Sequence, residues 1–131
     1  NASRAHLKGE VKITTGLGFV EDVIIDSHFD KRGRFPRLAQ AVIANPSAIG
    51  IGLCEDTGVI ITNGCELEAI GSGAVFILDG RNIKRSNIAD IEEGSPISAE
   101  GLIVHIMEMG NRYNRKTKKF EADDIVVRPA E

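Results

Sequence analysis

A chain of 131 residues with 42% hydrophobic and 27% charged residues has the length and composition of one globular domain, so nothing demands a second. No apolar run approaches the roughly 20 residues needed to cross a bilayer, which excludes a membrane-spanning helix. The net charge of −3 gives no overall attraction to nucleic acid, and the basic stretch Arg112, Arg115, Lys116, Lys118, Lys119 reads as a solvated loop rather than a phosphate reader.

Cys54 and Cys65 are the only cysteines, too few for a disulfide framework and wrongly spaced for a zinc site. Both read as free thiols in a reducing compartment, which points to the cytoplasm. The first residues, Asn1-Ala2-Ser3-Arg4-Ala5-His6, carry neither an initiator methionine nor the apolar core of a signal peptide, and read as the start of a processed chain or a fragment.

In chain order, Val11 to Thr14 is expected to form a short strand, and Gly16-Leu17-Gly18-Phe19 a glycine turn leading into a buried strand from Val23 to Asp26. Apolar residues at helical spacing predict a helix from Arg34 to Ala44, stopped by Asn45-Pro46 because the residue before proline is disfavoured in helical conformation. Ala48 to Leu53 reads as a second buried strand, and its alternating Gly50 and Gly52 point to something approaching the backbone closely. Short strands then follow at Val59 to Thr62, Glu66 to Ile70, Ala74 to Leu78 and Leu102 to Met107. The turn pairs Asn63-Gly64 and Asp79-Gly80 predict antiparallel hairpins, and Ile83 to Gly101 is read as surface connection. The pattern is a strand-helix-strand unit followed by an antiparallel meander, all within one domain.

The chemistry-bearing residues gather around the first helix. His28 falls at a strand-to-helix junction, and in open α/β sheets the carboxyl ends of strands line the ligand crevice. Arg34 and Arg37 lie three apart on the helix and share a face, with Arg32 in the preceding turn. Guanidinium groups clustered near a helix start suit a carboxylate or phosphate, although ion pairs with Asp26, Asp30 and Glu55 would explain them equally well. Glu55 or Asp56, at the end of the second strand, could orient His28 as the acid of a catalytic triad does, and Asp56 could instead begin a turn with Thr57-Gly58. Cys54 could be a nucleophile or a small buried hydrophobe, the second being the more usual role. His6 and His105 have no metal-ligand spacing, so no metal or other cofactor is expected. A nucleophile is missing: Gly71-Ser72-Gly73 lacks the spacing and following helix of a nucleophile elbow, and Asn1 cannot act as an N-terminal nucleophile. A base, an acid and an anion pocket without a nucleophile imply that half of a site lies elsewhere.

Asp26 and His28-Phe29, Arg32-Gly33-Arg34 and Arg37-Leu38 together resemble the signature of cyanophycinases and related serine peptidases, family S51. Gly50-Ile51-Gly52-Leu53-Cys54-Glu55-Asp56-Thr57 is similar to a second run of that family. Lys8 to Phe19 and Leu102 to Tyr113 agree as well, so the likeness extends from Leu7 to Phe120. The resemblance implies a three-layer α/β/α sandwich with a flavodoxin-like or class I glutamine-amidotransferase-like core, and additional antiparallel hairpins toward the C-terminus. It implies that residues 1–131 are the C-terminal part of a single domain whose N-terminal segment carries the nucleophilic serine. The implied activity is hydrolysis of cyanophycin to β-Asp-Arg dipeptides, or of related isoaspartyl peptides, in a cytoplasmic homodimer. His28 would then be the general base and Glu55 its acidic partner, while Asp26, Ser27, Arg32, Arg34 and Arg37 would hold the substrate. Ser27 stands where family members often have glutamine, and Cys54 where they have aspartate. The rival from another class is a noncatalytic module in which the arginines capture acidic peptides.

Overall fold

The structure is a computed structural model. It describes residues 22–88 and 96–122, with two strands ahead of them described by their backbone alone, β1 (Arg4–Leu7) and β2 (Lys12–Thr14). The β-branched run Val23-Ile24-Ile25 favours an extended chain and forms the buried strand β3 (Val23–Ser27). Helix α1 (Arg34–Ala44) begins after Gly33, whose φ of 84° would strain any residue with a Cβ. Pro36 lies in its first turn, where the missing N–H breaks no helical hydrogen bond. The helix stops at Asn45, before Pro46, with the Asn45 side chain donating to the Ala41 carbonyl at 3.0 Å.

The remaining strands are β4 (Ile49–Leu53), β5 (Thr57–Thr62), β6 (Glu66–Gly71), β7 (Val75–Asp79), β8 (Arg85–Ser86), β9 (Ala99–Glu100), β10 (Ile103–Met107), β11 (Arg112–Asn114) and β12 (Lys119–Glu121). They make two five-stranded sheets and a two-stranded β8–β9 ribbon. The first sheet runs β10-β7-β4-β3-β2 and the second β1-β5-β6-β11-β12. Among the described residues β3 and β4, joined through α1, are the one parallel pair. This is a strand-rich mixed α/β fold.

Side-chain alternation decides the layering. Val23, Ile25, Ile49, Ile51, Leu53, Val75 and Ile77 of the first sheet meet Val59, Ile61, Leu67, Ala69 and Tyr113 of the second in one buried core. On the opposite face, Ile24 and Leu78 pack under Leu38, Ala39, Val42 and Ile43 of α1. The strand-helix-strand unit and the Asn63-Gly64 hairpin agree with the sequence reading; Asn63 and Gly64 have φ of 55° and 70°, the left-handed pair that a tight hairpin turn requires.

Three elements differ from expectation. The strands after β4 do not form one meander, because β5 and β6 enter the second sheet while β7 and β10 return to the first. Asp79-Gly80 makes no hairpin: β7 pairs with β4 and β10, and the Asp79 carboxylate is buried between the sheets. The basic stretch is the hairpin β11–β12, held because Tyr113 is fully buried and Phe120 packs against the same core, while Lys118 reaches the buried Asp79 carboxylate at 3.6 Å and Lys116 and Lys119 are exposed. Within the expected surface connection 83–101, the β8–β9 ribbon is described; the glycine turn at 16–19 lies outside the described residues.

Candidate active site

Parallel pairing of β3 with β4 places Ser27 opposite Leu53, so the residues that follow each strand emerge side by side at one end of the sheet. His28 leaves β3 in the left-handed conformation, φ 54°, an uncommon backbone for a residue with a Cβ. The next residue secures that turn: the Phe29 N–H donates to the Leu53 carbonyl at 3.0 Å and the Lys31 N–H to the His28 carbonyl at 2.9 Å. The Phe29 ring folds back over Gly52 and meets Phe35 and Phe76 at centroid distances of 5.8 and 5.1 Å. Gly50 is covered in the same way by Leu38 and Val42, which accounts for both glycines of the strand.

After β4 the chain turns sharply through Cys54-Glu55-Asp56. The Thr57 hydroxyl donates to the Cys54 carbonyl at 2.6 Å, and Asp56, at φ 56°, accepts from the Ser72 hydroxyl at 2.5 Å through its carboxylate and from the Ser72 N–H at 2.9 Å through its carbonyl. Asp56 is therefore committed to joining two turns, the more ordinary of its two sequence readings. Ser27, His28, Leu53, Cys54, Glu55, Asp56 and Thr57 together enclose a cavity of about 90 Å³. His28 and Glu55 thus share one small cavity, both exposed to solvent. No hydrogen bond joins their side chains in this structure.

Asp26 faces α1 from one residue before Ser27. Its buried carboxylate receives Arg34 Nη1 at 3.1 Å on one oxygen and Arg37 Nε at 3.7 Å on the other. The ion-pair reading of the arginines is thus realised with Asp26 for Arg34 and Arg37, and not with Asp30 or Glu55. The pairing does not exhaust them: two guanidinium groups face one carboxylate, in the first turns of a helix whose first turn carries no acidic residue. Positive charge at a helix N-terminus is disfavoured, so an added anion is attracted there. Arg37, half-exposed, also lines a larger groove of about 730 Å³ beside α1, with Phe35, Pro36, Gln40, Ile97 and Leu102. This groove is the roomier space, but the groups able to move a proton are in the smaller cavity, which ranks first on chemistry. Arg32 is exposed in the turn before the helix.

Cys54 lines the cavity, yet its thiol is pushed up by burial and further by the Asp30 charge, against a lowering hydrogen bond from the backbone at Ala74. A thiol held protonated is a poor nucleophile, which weighs against a Cys54 enzyme. His105 lies elsewhere, stacked on Tyr113 and Phe120 at 5.0 and 5.8 Å. Among the described residues no three His, Cys, Asp or Glu side chains are grouped to hold a metal, and no helix is long and apolar enough to cross a membrane. Sequence reasoning missed the Phe29 ring over Gly52 and the Ser72–Asp56 tie. The alternating glycines signalled the first; no motif signals the second, which joins the turn before β5 to the turn after β6.

No family model matches the chain. It is 36% identical over 111 residues to a cyanophycinase of Synechococcus elongatus, covering 85% of this chain and 34% of that protein. It is 38% identical over 107 residues to the cyanophycinase of Geminocystis herdmanii, covering 82% and 39%, and 36% identical over 104 residues to that of Trichormus variabilis, covering 79% and 35%. The chain spans a little over a third of the length of the curated relatives it matches.

Proposed function

The chain is cyanophycinase-like along four fifths of its length, and from that premise we propose that it supplies the base, the acid and the anion pocket of a serine peptidase that releases β-Asp-Arg dipeptides from cyanophycin. The observation that carries the reading is the cavity shared by His28 and Glu55 at adjoining ends of parallel strands, with Arg34 and Arg37 one strand residue away on Asp26.

In this reading His28 removes the proton from a serine hydroxyl as the oxygen attacks the main-chain peptide carbonyl between successive aspartates, leaving the β-Asp-Arg isopeptide bond intact, and Glu55 stabilises the imidazolium that forms. His28 then gives the proton to the leaving amine. Water, deprotonated by His28 in turn, releases the acyl group. Glu55 closes onto the imidazole once charge develops, since catalytic hydrogen bonds tighten in the complex. The residual positive charge at the start of α1, with Arg32 beside it, holds the substrate carboxylates through paired hydrogen bonds, and Ser27 shapes the pocket floor. Asp26 fixes the arginines.

The serine comes from a further segment of the complete protein, and the oxyanion donors with it. The α/β/α sandwich belongs to the same reading. Val104 and Ile106 of β10 lie opposite Leu78 and Phe76 of β7, exposed on the same face of the first sheet as α1 but beyond its cover, and further helices from the rest of the protein beside α1 would bury them. Cytoplasmic location and a homodimer also belong to this reading. The test is release of β-Asp-Arg by the complete protein. His28→Ala is expected to lower kcat by about 10⁴-fold, the scale of losing a triad member. Retention of the parent rate by His28→Ala overturns the assignment. Saturable binding of cyanophycin without turnover by the parent protein replaces it with the peptide-binding module.

A further inference from the structure

From the packing around β4 we infer that Phe29 and Gly52 act as a pair that positions His28, the ring serving as a wedge whose seat is the missing Cβ. The inference rests on the reading of His28 as the general base and adds residues to which no role has been given.

Across the first sheet, Gly52 lies between Asp26 of β3 and Phe76 of β7. A Cβ on Gly52 would fall 2.5 to 2.7 Å from three atoms of the Phe29 ring, closer than side-chain carbons approach, and those atoms belong to a rigid ring near the backbone, not to the tip of a flexible chain. The ring therefore occupies the space directly over the strand. Phe35 and Phe76 close it in on two sides, and it is buried. Phe29 is also the residue whose N–H is bonded to Leu53, the residue after Gly52. One side chain and one hydrogen bond thus fasten the same residue to two successive positions of β4.

His28 precedes that anchor and holds a left-handed backbone that few non-glycine residues adopt unaided. With Phe29 fixed on one side and Ser27 of β3 paired with Leu53 of β4 on the other, the direction of the His28 Cα–Cβ bond is set, toward the cavity it shares with Glu55. Neither Phe29 nor Gly52 lines that cavity, so both act through His28 and are positioning residues.

The pair is complementary in shape, which makes the inference testable by compensation. In the complete protein, Gly52→Ala, Phe29→Leu, Gly52→Ala with Phe29→Leu, and His28→Ala are compared for kcat and KM on cyanophycin, scaled to the folded fraction from a thermal melt. Gly52→Ala displaces the ring, and a shift of about 1 Å at the imidazole is expected to cost on the order of 100-fold in kcat with KM little changed. The smaller leucine leaves room for the new methyl group, so the double variant is expected to regain at least tenfold of that loss. Phe29→Leu alone is expected to lower kcat and to displace the acid limb of the kcat/KM pH profile, which loss of folded protein alone would not move. If Gly52→Ala does not fold, Phe29→Leu and its pH profile carry the test. An inactive His28→Ala beside Gly52→Ala or Phe29→Leu at the parent kcat overturns the positioning role, as does a double variant no better than Gly52→Ala. An active His28→Ala instead overturns the general-base reading itself.

Discussion

Tyr113 and Asp26 show how individual side chains fare at the two faces of the first sheet. Tyr113 is the only tyrosine of the chain and is fully buried between the sheets, 3.5 Å from the Asp79 carboxylate. Burial, with the Asp79 charge and hydrogen bond acting in the same direction and Arg81 opposing, pushes its phenol up to about 12 from an ordinary value of 10.0. Phenolate absorbance in the folded chain should therefore have its midpoint near 12 and in denaturant near 10; equal midpoints would contradict the burial. Because the folded value is the higher, the stability linked to this group is complete below pH 10 and is lost as pH rises from there toward 12.

At the other face, the Asp26 carboxylate offsets Arg34 and Arg37. Asp26→Asn keeps the shape and removes the charge, and should cost about 1–3 kcal/mol in urea unfolding, the scale of a buried charged hydrogen bond. It should also raise KM for an anionic substrate by leaving the two arginines less well placed. Cys54→Ala should keep the parent rate, since burial and Asp30 hold the thiol protonated.

Among the elements, α1 lies as close to the first sheet as it does because β4 offers glycine beneath it. A Cβ on Gly50 would meet Val42 Cγ2 at 2.6 Å and Leu38 at 3.1 Å. Gly50→Ala should lift the helix and cost about 1–3 kcal/mol of overpacking, read as a lower urea midpoint; an unchanged midpoint would show that α1 can shift freely. The helix, its proline stop and both flanking strands were legible because each follows from a local pattern of apolar spacing and backbone preference. The β11–β12 hairpin was not, for its lysines and arginines hide that Tyr113 and Phe120 pack on the core and that Lys118 pairs with the buried Asp79. His105 of β10 packs on those two rings, and burial lowers its pKa, against the Asp79 charge and together with Arg81. Its folded value lies below 6.5, so the stability it contributes is present above pH 6.5 and is lost as pH falls below. The urea midpoint should accordingly drop with acidification less steeply in His105→Gln than in the parent.

At the scale of the whole molecule, one core joins the two sheets, and Leu67 of β6 is fully buried within it against residues of both. Leu67→Ala should remove about 2–5 kcal/mol, the range for emptying a buried leucine site. If the sheets unfold as one unit, circular dichroism and Tyr113 absorbance should shift together; separate midpoints would mean that the sheets unfold independently.

The sequence by itself determined the strand-helix-strand unit, the hairpin at Asn63-Gly64, the close approach at Gly50 and Gly52, and which residue types could carry chemistry, because these depend on neighbours within a few positions. Only the tertiary structure decided that β5 and β6 leave the first sheet while β7 returns to it. It also decided that Asp56 is tied to Ser72, that Asp26 takes Arg34 and Arg37, and that His28 and Glu55 border one cavity. The exchange of strands between sheets and the shared cavity depend on which strands pair, and the Asp26 and Asp56 contacts on how the helix and hairpin ends are seated, all settled by the fit of whole faces against each other, a quantity that no local pattern contains.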